Sequence, residues 1–224
     1  MTRRKRLFGW ISAGAATAVI LGLAGVYWAA QHEPAFYREA MNIKPAVLEK
    51  GSDRMLQQAA AVQGSTTREG RWQVRVTATE INGWLAVDLV KNHPKLLPPT
   101  MKNPRVAIDR SGITVACHFQ HGNVTSVLSL TVQPSMPKRN VIALRIAKAR
   151  AGLLPAPLEQ VIERITKSAR DLQFHVQWER AGGDPVALLT LPDDPGNSYR
   201  TTLEAVELGD GEIRIVGNTQ RRNK

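Results

Sequence analysis

The feature that most constrains this chain is an uncharged run at residues 7–30, which directly follows four cationic side chains at residues 3–6. A helix rises about 1.5 Å per residue, so a run of this length can cross a hydrocarbon core of roughly 30 Å. A backbone inside lipid must satisfy its own hydrogen bonds, and only a helix does so with a single segment. The sequence therefore predicts a transmembrane helix at residues 7–30.

A cleaved signal peptide is the alternative interpretation of the same N-terminus. Such a peptide needs an apolar region of about 7 to 15 residues and small side chains at the cleavage site. The run is longer than that, and Tyr27 and Trp28 stand where small side chains are needed. We therefore expect an uncleaved anchor in the cell inner (cytoplasmic) membrane. By the positive-inside rule, the basic stub at residues 1–6 stays in the cytoplasm and the C-terminal domain lies outside.

The net charge of +11 suggests nucleic acid as a partner until the charges are located. Residues 3–6 carry four of them and the basic tail at residues 221–224 carries three, which leaves +4 for the rest. A mildly basic domain across a membrane from nucleic acid is not expected to bind it, whereas weak attraction to anionic lipid is. The single cysteine, Cys117, excludes an internal disulfide, and we expect a buried, inert thiol.

Residues beyond the anchor are enough for one domain with a hydrophobic core. A juxtamembrane segment at residues 31–44 contains a short helix opening at Pro34, which is expected to lie against the membrane or the domain. The domain itself spans residues 45–220. It begins with a helix in which Gly51 is a weak point, followed from Arg71 by the two-residue period of a strand.

A second helix follows this strand, and Thr79 is predicted to cap it. Its apolar stripe includes Trp84 and Leu85, while Asn82 and Asp88 are expected to be solvated or capping groups. After a proline-broken connection, alternating side chains predict an antiparallel meander, apolar on one side. Its strands are residues 105–109, 113–120, 124–132 and 140–149, with a turn at residues 134–137. An amphipathic helix, further strands and a C-terminal hairpin complete an α+β domain.

Two stretches carry a family resemblance: Thr-Glu-Ile-Asn-Gly-Trp-Leu at residues 79–85 and Ala-Gly-Leu-Leu-Pro-Ala-Pro at residues 151–157. With the N-terminal span and the order of elements, the chain resembles the YpmS-type membrane-anchored proteins of bacteria. More distantly it is similar to the tubular lipid-binding (TULIP-like) architecture. The resemblance implies a long helix in the concavity of a curved, mostly antiparallel sheet, packed by amphipathic helices. A proline-rich insertion at residues 93–104 and the extra C-terminal hairpin depart from the pattern.

Apolar side chains on the helices and the one-sided strands predict a groove for lipid or another hydrophobic ligand. We expect its lining to be Trp84, Leu85, Leu158, Val161, Ile162, Phe174 and Trp178. The alternative is that these side chains fill an ordinary core.

Basic residues along one strand are a candidate rim for phosphate head groups, with Lys148 and Arg150 as its members. On a two-residue period these two share a face with Leu144 and Ile146, whereas Arg145 points away. A solvated edge that discourages sheet-to-sheet pairing is the alternative interpretation.

Motifs of catalysis are missing from the sequence, which contains no GxSxG, HExxH, P-loop or GxGxxG. His118 and His121 would point to opposite faces of a strand, so no metal site is expected, and no cofactor is implied. The leading hypothesis is a non-enzymatic envelope protein with a hydrophobic ligand. The alternatives are a module that binds another envelope protein, through its sheet edge or juxtamembrane helix, and an envelope hydrolase.

Overall fold

A computed structural model describes residues 21–22, 24–121, 124–171, 176–191 and 196–222. Beyond residue 31 its helices are α1 (Ala35–Met41), α2 (Pro45–Ser65), α3 (Ala78–Ala86), α4 (Asp88–Asn92) and α5 (Leu158–Asp171), with a 3-10 turn at Pro94–Leu96. The strands are β1 (Gly70–Thr77), β2 (Met101–Asp109), β3 (Gly112–His121), β4 (Val124–Lys138), β5 (Val141–Ala151), β6 (Leu154–Pro155), β7 (Val176–Ala181), β8 (Asp184–Thr190), β9 (Tyr199–Leu208) and β10 (Glu212–Arg221).

The predicted α+β class and antiparallel pairing are confirmed, but the strands form two sheets. A seven-stranded sheet has the order β2-β3-β4-β5-β8-β7, with β6 paired to β5, and a three-stranded sheet has the order β1-β10-β9. The C-terminal hairpin, β9 and β10, does not join the seven-stranded sheet. Instead β10 pairs with β1 along the whole length of β1, from Gly70 opposite Thr219 to Thr77 opposite Glu212.

The predicted membrane anchor lies mostly outside the described residues, which omit residues 1–20 and 23. Residues 21–22 and 24–30 are helical, and the large side chains of Val26, Tyr27 and Trp28 are exposed. Among the helices that the structure describes, none combines the length and the apolar character needed to cross a membrane.

The start of α3 is fixed by Thr77 and not, as the sequence suggested, by Thr79. Thr77 Oγ1 accepts a hydrogen bond from the Glu80 amide at 3.2 Å, and Glu80 Oε2 accepts one from the Thr77 amide at 2.8 Å. This reciprocal capping box requires Glu or Gln three residues after the cap. Thr77 has Glu80 at that position whereas Thr79 has Asn82, which explains why the helix begins two residues earlier than predicted.

Helices α2 and α3 touch backbone to backbone through two glycines. A Cβ placed on Gly83 would lie 2.4 Å from the Leu48 carbonyl oxygen, and one on Gly51 would lie 2.7 Å from that of Thr79. Gly51 is therefore a contact point between two helices and not the weak point that its helix propensity indicated.

Asn82 joins α3 to the free edge of β2. Its Nδ2 donates to the Val106 carbonyl oxygen at 2.9 Å, and its Oδ1 accepts from the Val106 amide at 2.7 Å. The side chain is 2% exposed, so the expectation of a solvated or capping Asn82 is wrong. The amide substitutes for a neighbouring strand and leaves this part of the edge paired. Nearby, the Gly211 amide donates to the Ile108 carbonyl oxygen at 2.9 Å.

Strand β4 continues through residues 134–137, where a turn was predicted. The chain reverses at Asn140, which adopts a positive φ of 62°. β3 pairs with β4 only as far as Val132 opposite Ile113, so the later part of β4 has β5 on one side alone. Prolines are tolerated on such an edge, because a missing amide then costs no ladder hydrogen bond.

Candidate functional site

One face of the seven-stranded sheet is apolar from β2 to β7. Strand register places Val106, Val115, Leu130 and Ala149 in one cross-strand row. Because side chains alternate between faces, the same side carries two further rows. They are Ile108, Ile113, Val132 and Ile146 in one row, and Leu144, Ala187 and Trp178 in the other. We call these residues the apolar face. Burial across it is uneven, since Ile146 is 3% exposed and Val115 is 41% exposed.

Helix α5 is tied to the apolar face at its β7 end. Trp178 Nε1 donates to Thr166 Oγ1 at 2.8 Å, and Thr166 lies one turn beyond Ile162 on the same side of the helix. The bond turns the apolar stripe of α5 towards the sheet. Val161 and Ile162 are half-buried, and Leu158 at the start of the helix is 41% exposed. The stripe is therefore only partly covered by protein.

The predicted groove residues fall into two groups. Leu158, Val161, Ile162 and Trp178 lie together on α5 and β7. Trp84 and Leu85 lie on α3, which packs beside β2 at the opposite edge of the sheet, and the Trp84 ring lies 6.2 Å from that of His93 in a tilted arrangement. The seventh predicted residue, Phe174, is outside the described residues. The α5–β7 group, with the apolar face, forms the candidate site.

The prediction that Lys148 and Arg150 share a face of the sheet with Ile146 is wrong, because β5 contains a bulge. Thr131 is opposite Lys148 while the adjacent Val132 is opposite Ile146, so Ala147 is an extra residue in β5. Neighbours on β4 point to opposite faces, and Lys148 therefore points away from Ile146. The same register brings Arg145 onto the face of Lys148 and Arg150, where Arg145 Nε donates to Gln133 Oε1 at 3.0 Å.

The juxtamembrane helix α1 packs on this second face of the sheet. Tyr37 is fully buried and packs with Ala116 and Val127, and its hydroxyl donates to the Asn103 carbonyl oxygen at 2.8 Å. Burial raises the pKa of Tyr37 to about 12. Arg105, which is also buried, donates from Nε to the Ala40 carbonyl oxygen at 3.3 Å, and desolvation lowers its pKa. The sequence allowed α1 to lie against the membrane or against the domain, and the structure shows that it packs against the domain.

Two further reactive groups are Asp88 on α4, which is buried, and Cys117 on β3, which is half-buried and lies on the same side of the strand as Val115. Asp88 Oδ1 accepts from Asn92 Nδ2 at 2.6 Å, whereas Oδ2 has no hydrogen-bond partner among the described residues and lies 3.5 Å from His93 Nε2. The expectation of a solvated or capping Asp88 is therefore wrong. Burial raises the pKa of Cys117 to about 11, which keeps the thiol protonated at neutral pH, as the sequence predicted for an inert cysteine.

A surface cavity of about 380 Å³ lies where α2 ends and β1 begins, away from the predicted groove. Its lining is Ala61, Gly64, Ser65, Arg68, Glu69, Gly70, Arg71 and Trp72. Across the described parts of the chain, no group of three His, Cys, Asp or Glu side chains is placed to hold a metal ion.

No protein-family model matches the chain, and neither a curated protein nor a solved structure matches it.

Proposed function

We propose that this chain is a non-enzymatic, single-pass envelope protein whose domain binds a lipid or another hydrophobic ligand between α5 and the apolar face. The observation that carries the proposal is the incomplete cover of two apolar surfaces, the stripe of α5 and the apolar face of the sheet to which α5 is bonded at β7. Leu158 and Val115 are each 41% exposed, although each belongs to an apolar stripe that an ordinary core would bury. An acyl chain laid between the helix and the sheet would remove this surface from water.

The proposed location rests on the uncharged run at residues 7–30 behind the basic stub. The N-terminus would stay in the cytoplasm and the domain would lie outside the inner membrane, as one unit in which α5 occupies the concave side of a curved sheet. Support comes from the exposed apolar side chains of Val26, Tyr27 and Trp28, which suit lipid or its interface better than water. The YpmS-type and tubular lipid-binding resemblance fits the same proposal.

A photocrosslinking experiment tests the ligand. The full-length chain is placed in vesicles that contain a phosphatidylglycerol with a diazirine in its acyl chain, and adducts are mapped by mass spectrometry after irradiation. We expect adducts on α5 and β7, competed by unlabelled lipid. Ile162→Glu introduces a charge into the stripe and should lower the α5 adducts about tenfold or more, since a carboxylate is costly to place in apolar surroundings.

The matched control is Gln160→Glu, which adds the same charge to an exposed position of the same helix. It should leave the adducts unchanged. Adducts confined to residues 7–30, or an equal loss in both variants, would contradict a ligand site between α5 and the sheet.

An assembly function is the second candidate, and the position of β7 favours it. β7 is the terminal strand of the seven-stranded sheet, and four of its six residues are exposed. Another chain could add a strand there by main-chain hydrogen bonding. Arg180 lies opposite Pro185, in a pair that makes no ladder hydrogen bonds, so its amide faces the open side of β7. If assembly uses this edge, a partner captured by crosslinking in intact cells should be lost with Arg180→Pro and retained with Arg180→Ala.

A further inference from the structure

The chain enters the domain at one end of the seven-stranded sheet. The Leu153 amide donates to the Ala29 carbonyl oxygen at 2.9 Å, and Ser126 Oγ donates to the Ala30 carbonyl oxygen at 2.5 Å. A Cβ on Gly152 would lie 2.3 Å from the Ala29 oxygen, so the approach is as close as backbone allows. The residues that lead from the proposed anchor are therefore bonded to the turn between β5 and β6.

Cationic and apolar side chains surround this entry point. Lys148 and Arg150 are exposed on one face of β5, directly before the turn, and Leu153 in the turn is 45% exposed. On the other side of Ala29, the helix carries exposed Trp28, with 68% of its surface accessible. Cations beside exposed aromatic and aliphatic side chains are the composition of surfaces that rest on anionic lipid.

We propose that this end of the domain, which we call the entry surface (Trp28, Lys148, Arg150 and Leu153), lies on the anionic head groups of the membrane. The inference rests on the anchoring in the proposed function and adds an orientation to it. An anchor helix leaving through Ala29 holds the entry surface close to the bilayer. The cations then meet lipid phosphates, and Leu153 reaches the interface.

The orientation also places the candidate ligand site. β6 pairs Pro155 with Arg150, so α5 begins at Leu158, beside the entry surface. The exposed start of the α5 stripe then opens towards the bilayer, and an acyl chain can enter the site without crossing water.

The test uses the full-length chain in phosphatidylglycerol vesicles, with a fluorophore on Leu153→Cys or, for comparison, on Arg110→Cys. Arg110 is 78% exposed in the β2–β3 turn at the opposite end of the sheet. Cys117 stays in place, because its half-buried thiol has a pKa raised to about 11 and should react much more slowly than an exposed cysteine. Quenching by head-group-proximal spin-labelled lipid should be at least about twofold stronger at position 153 than at position 110, since quenching falls off steeply with distance from the membrane surface.

Charge reversal separates the entry surface from general attraction to the membrane. Lys148→Glu with Arg150→Glu should lower the quenching at position 153 by about half or more in anionic vesicles, and little in neutral phosphatidylcholine vesicles. The matched control is Lys138→Glu with Arg139→Glu. It makes the same charge change at the far end of the β4–β5 hairpin, about 30 Å along β5. It should leave the quenching unchanged.

Two results would overturn the proposed orientation in a chain that still floats with the vesicles. One is equal quenching at positions 153 and 110, and the other is an equal effect of the two charge reversals. A chain that alkaline carbonate extracts from the vesicles would overturn both this inference and the proposed anchor. Adducts on α5 in the photocrosslinking experiment, without quenching at position 153, would leave the ligand proposal standing and remove only the orientation.

Discussion

Asn82 provides the sharpest test of how the domain is held together. Asn82→Ala removes both hydrogen bonds to Val106, at 2.7 and 2.9 Å, in a position that is 2% exposed. Water does not readily replace the lost partner there, so the amide and the carbonyl of Val106 are both left unsatisfied. Each such buried group costs about 1–3 kcal/mol, which gives about 2–6 kcal/mol for the pair. For a domain of this size that corresponds to a melting temperature lower by about 4–24 °C.

Two measurements on the full-length chain in detergent check this result. Guanidinium unfolding followed by tryptophan fluorescence gives the free energy of unfolding, and amide exchange gives the protection of the Val106 N–H. We expect that amide to lose its protection in Asn82→Ala before its neighbours in β2 do, because its acceptor is gone.

A second substitution separates the hydrogen bonds from the volume of the side chain. Asn82→Leu fills the full volume of the side chain but makes neither bond, so it should be at least as destabilising as Asn82→Ala. Asn42→Ala, at the exposed end of α1, should change the unfolding free energy by no more than about 0.5 kcal/mol. Wild-type stability in Asn82→Leu would refute the reasoning, because it would show that packing and not backbone pairing makes Asn82 important.

Three further predictions follow from close contacts and buried groups. Gly83→Ala should destabilise the domain by about 2 kcal/mol or more, because its methyl group would lie 2.4 Å from the Leu48 carbonyl oxygen, whereas Gly64→Ala, with open space around it, should be neutral or stabilising in thermal unfolding. Tyr37 has a folded-state pKa of about 12 against an ordinary value of 10, so its contribution to stability is complete below pH 10 and is lost as the pH rises towards 12. Unfolding measured across that range should show the loss, and Tyr37→Phe should remove that part of the pH dependence. The half-buried Cys117 thiol, with its pKa raised to about 11, should react with iodoacetamide at pH 8 much more slowly in the folded chain than in guanidinium; equal rates would contradict the raised pKa.

Most secondary-structure elements could be predicted from local sequence. Period-two stretches became strands, and the apolar stripe at Leu158, Val161 and Ile162 became one side of α5, because alternation and helical spacing are properties of the chain itself. The turn at residues 109–112 could also be predicted, because it depends on local contacts. The Asp109 carboxylate accepts hydrogen bonds from the Ser111 and Gly112 amides, at 2.6 and 3.0 Å.

The candidate site was only partly predictable, because it depends on strand register. A single extra residue at Ala147 reversed the expected faces of Lys148 and Ile146, and a bulge leaves no mark in the alternation of the strand. Strand order placed Trp84 and Trp178 at opposite edges of the sheet, although both lie on predicted apolar stripes. Local periodicity shows which side of a helix or strand is apolar, but it does not show which other element packs against that side.

The sequence by itself determined the α+β class, the helix and strand types, and the uncharged N-terminal run from which an anchor is predicted. Tertiary structure decided that the strands divide into two sheets, that Asn82 pairs with a strand edge, and that Gly51 and Gly83 bring two helices into contact. The physical reason is the range of the interactions. Backbone hydrogen bonding within a helix and helix capping act over a few residues. The burial of an amide or a glycine is set by chain segments that are distant in sequence.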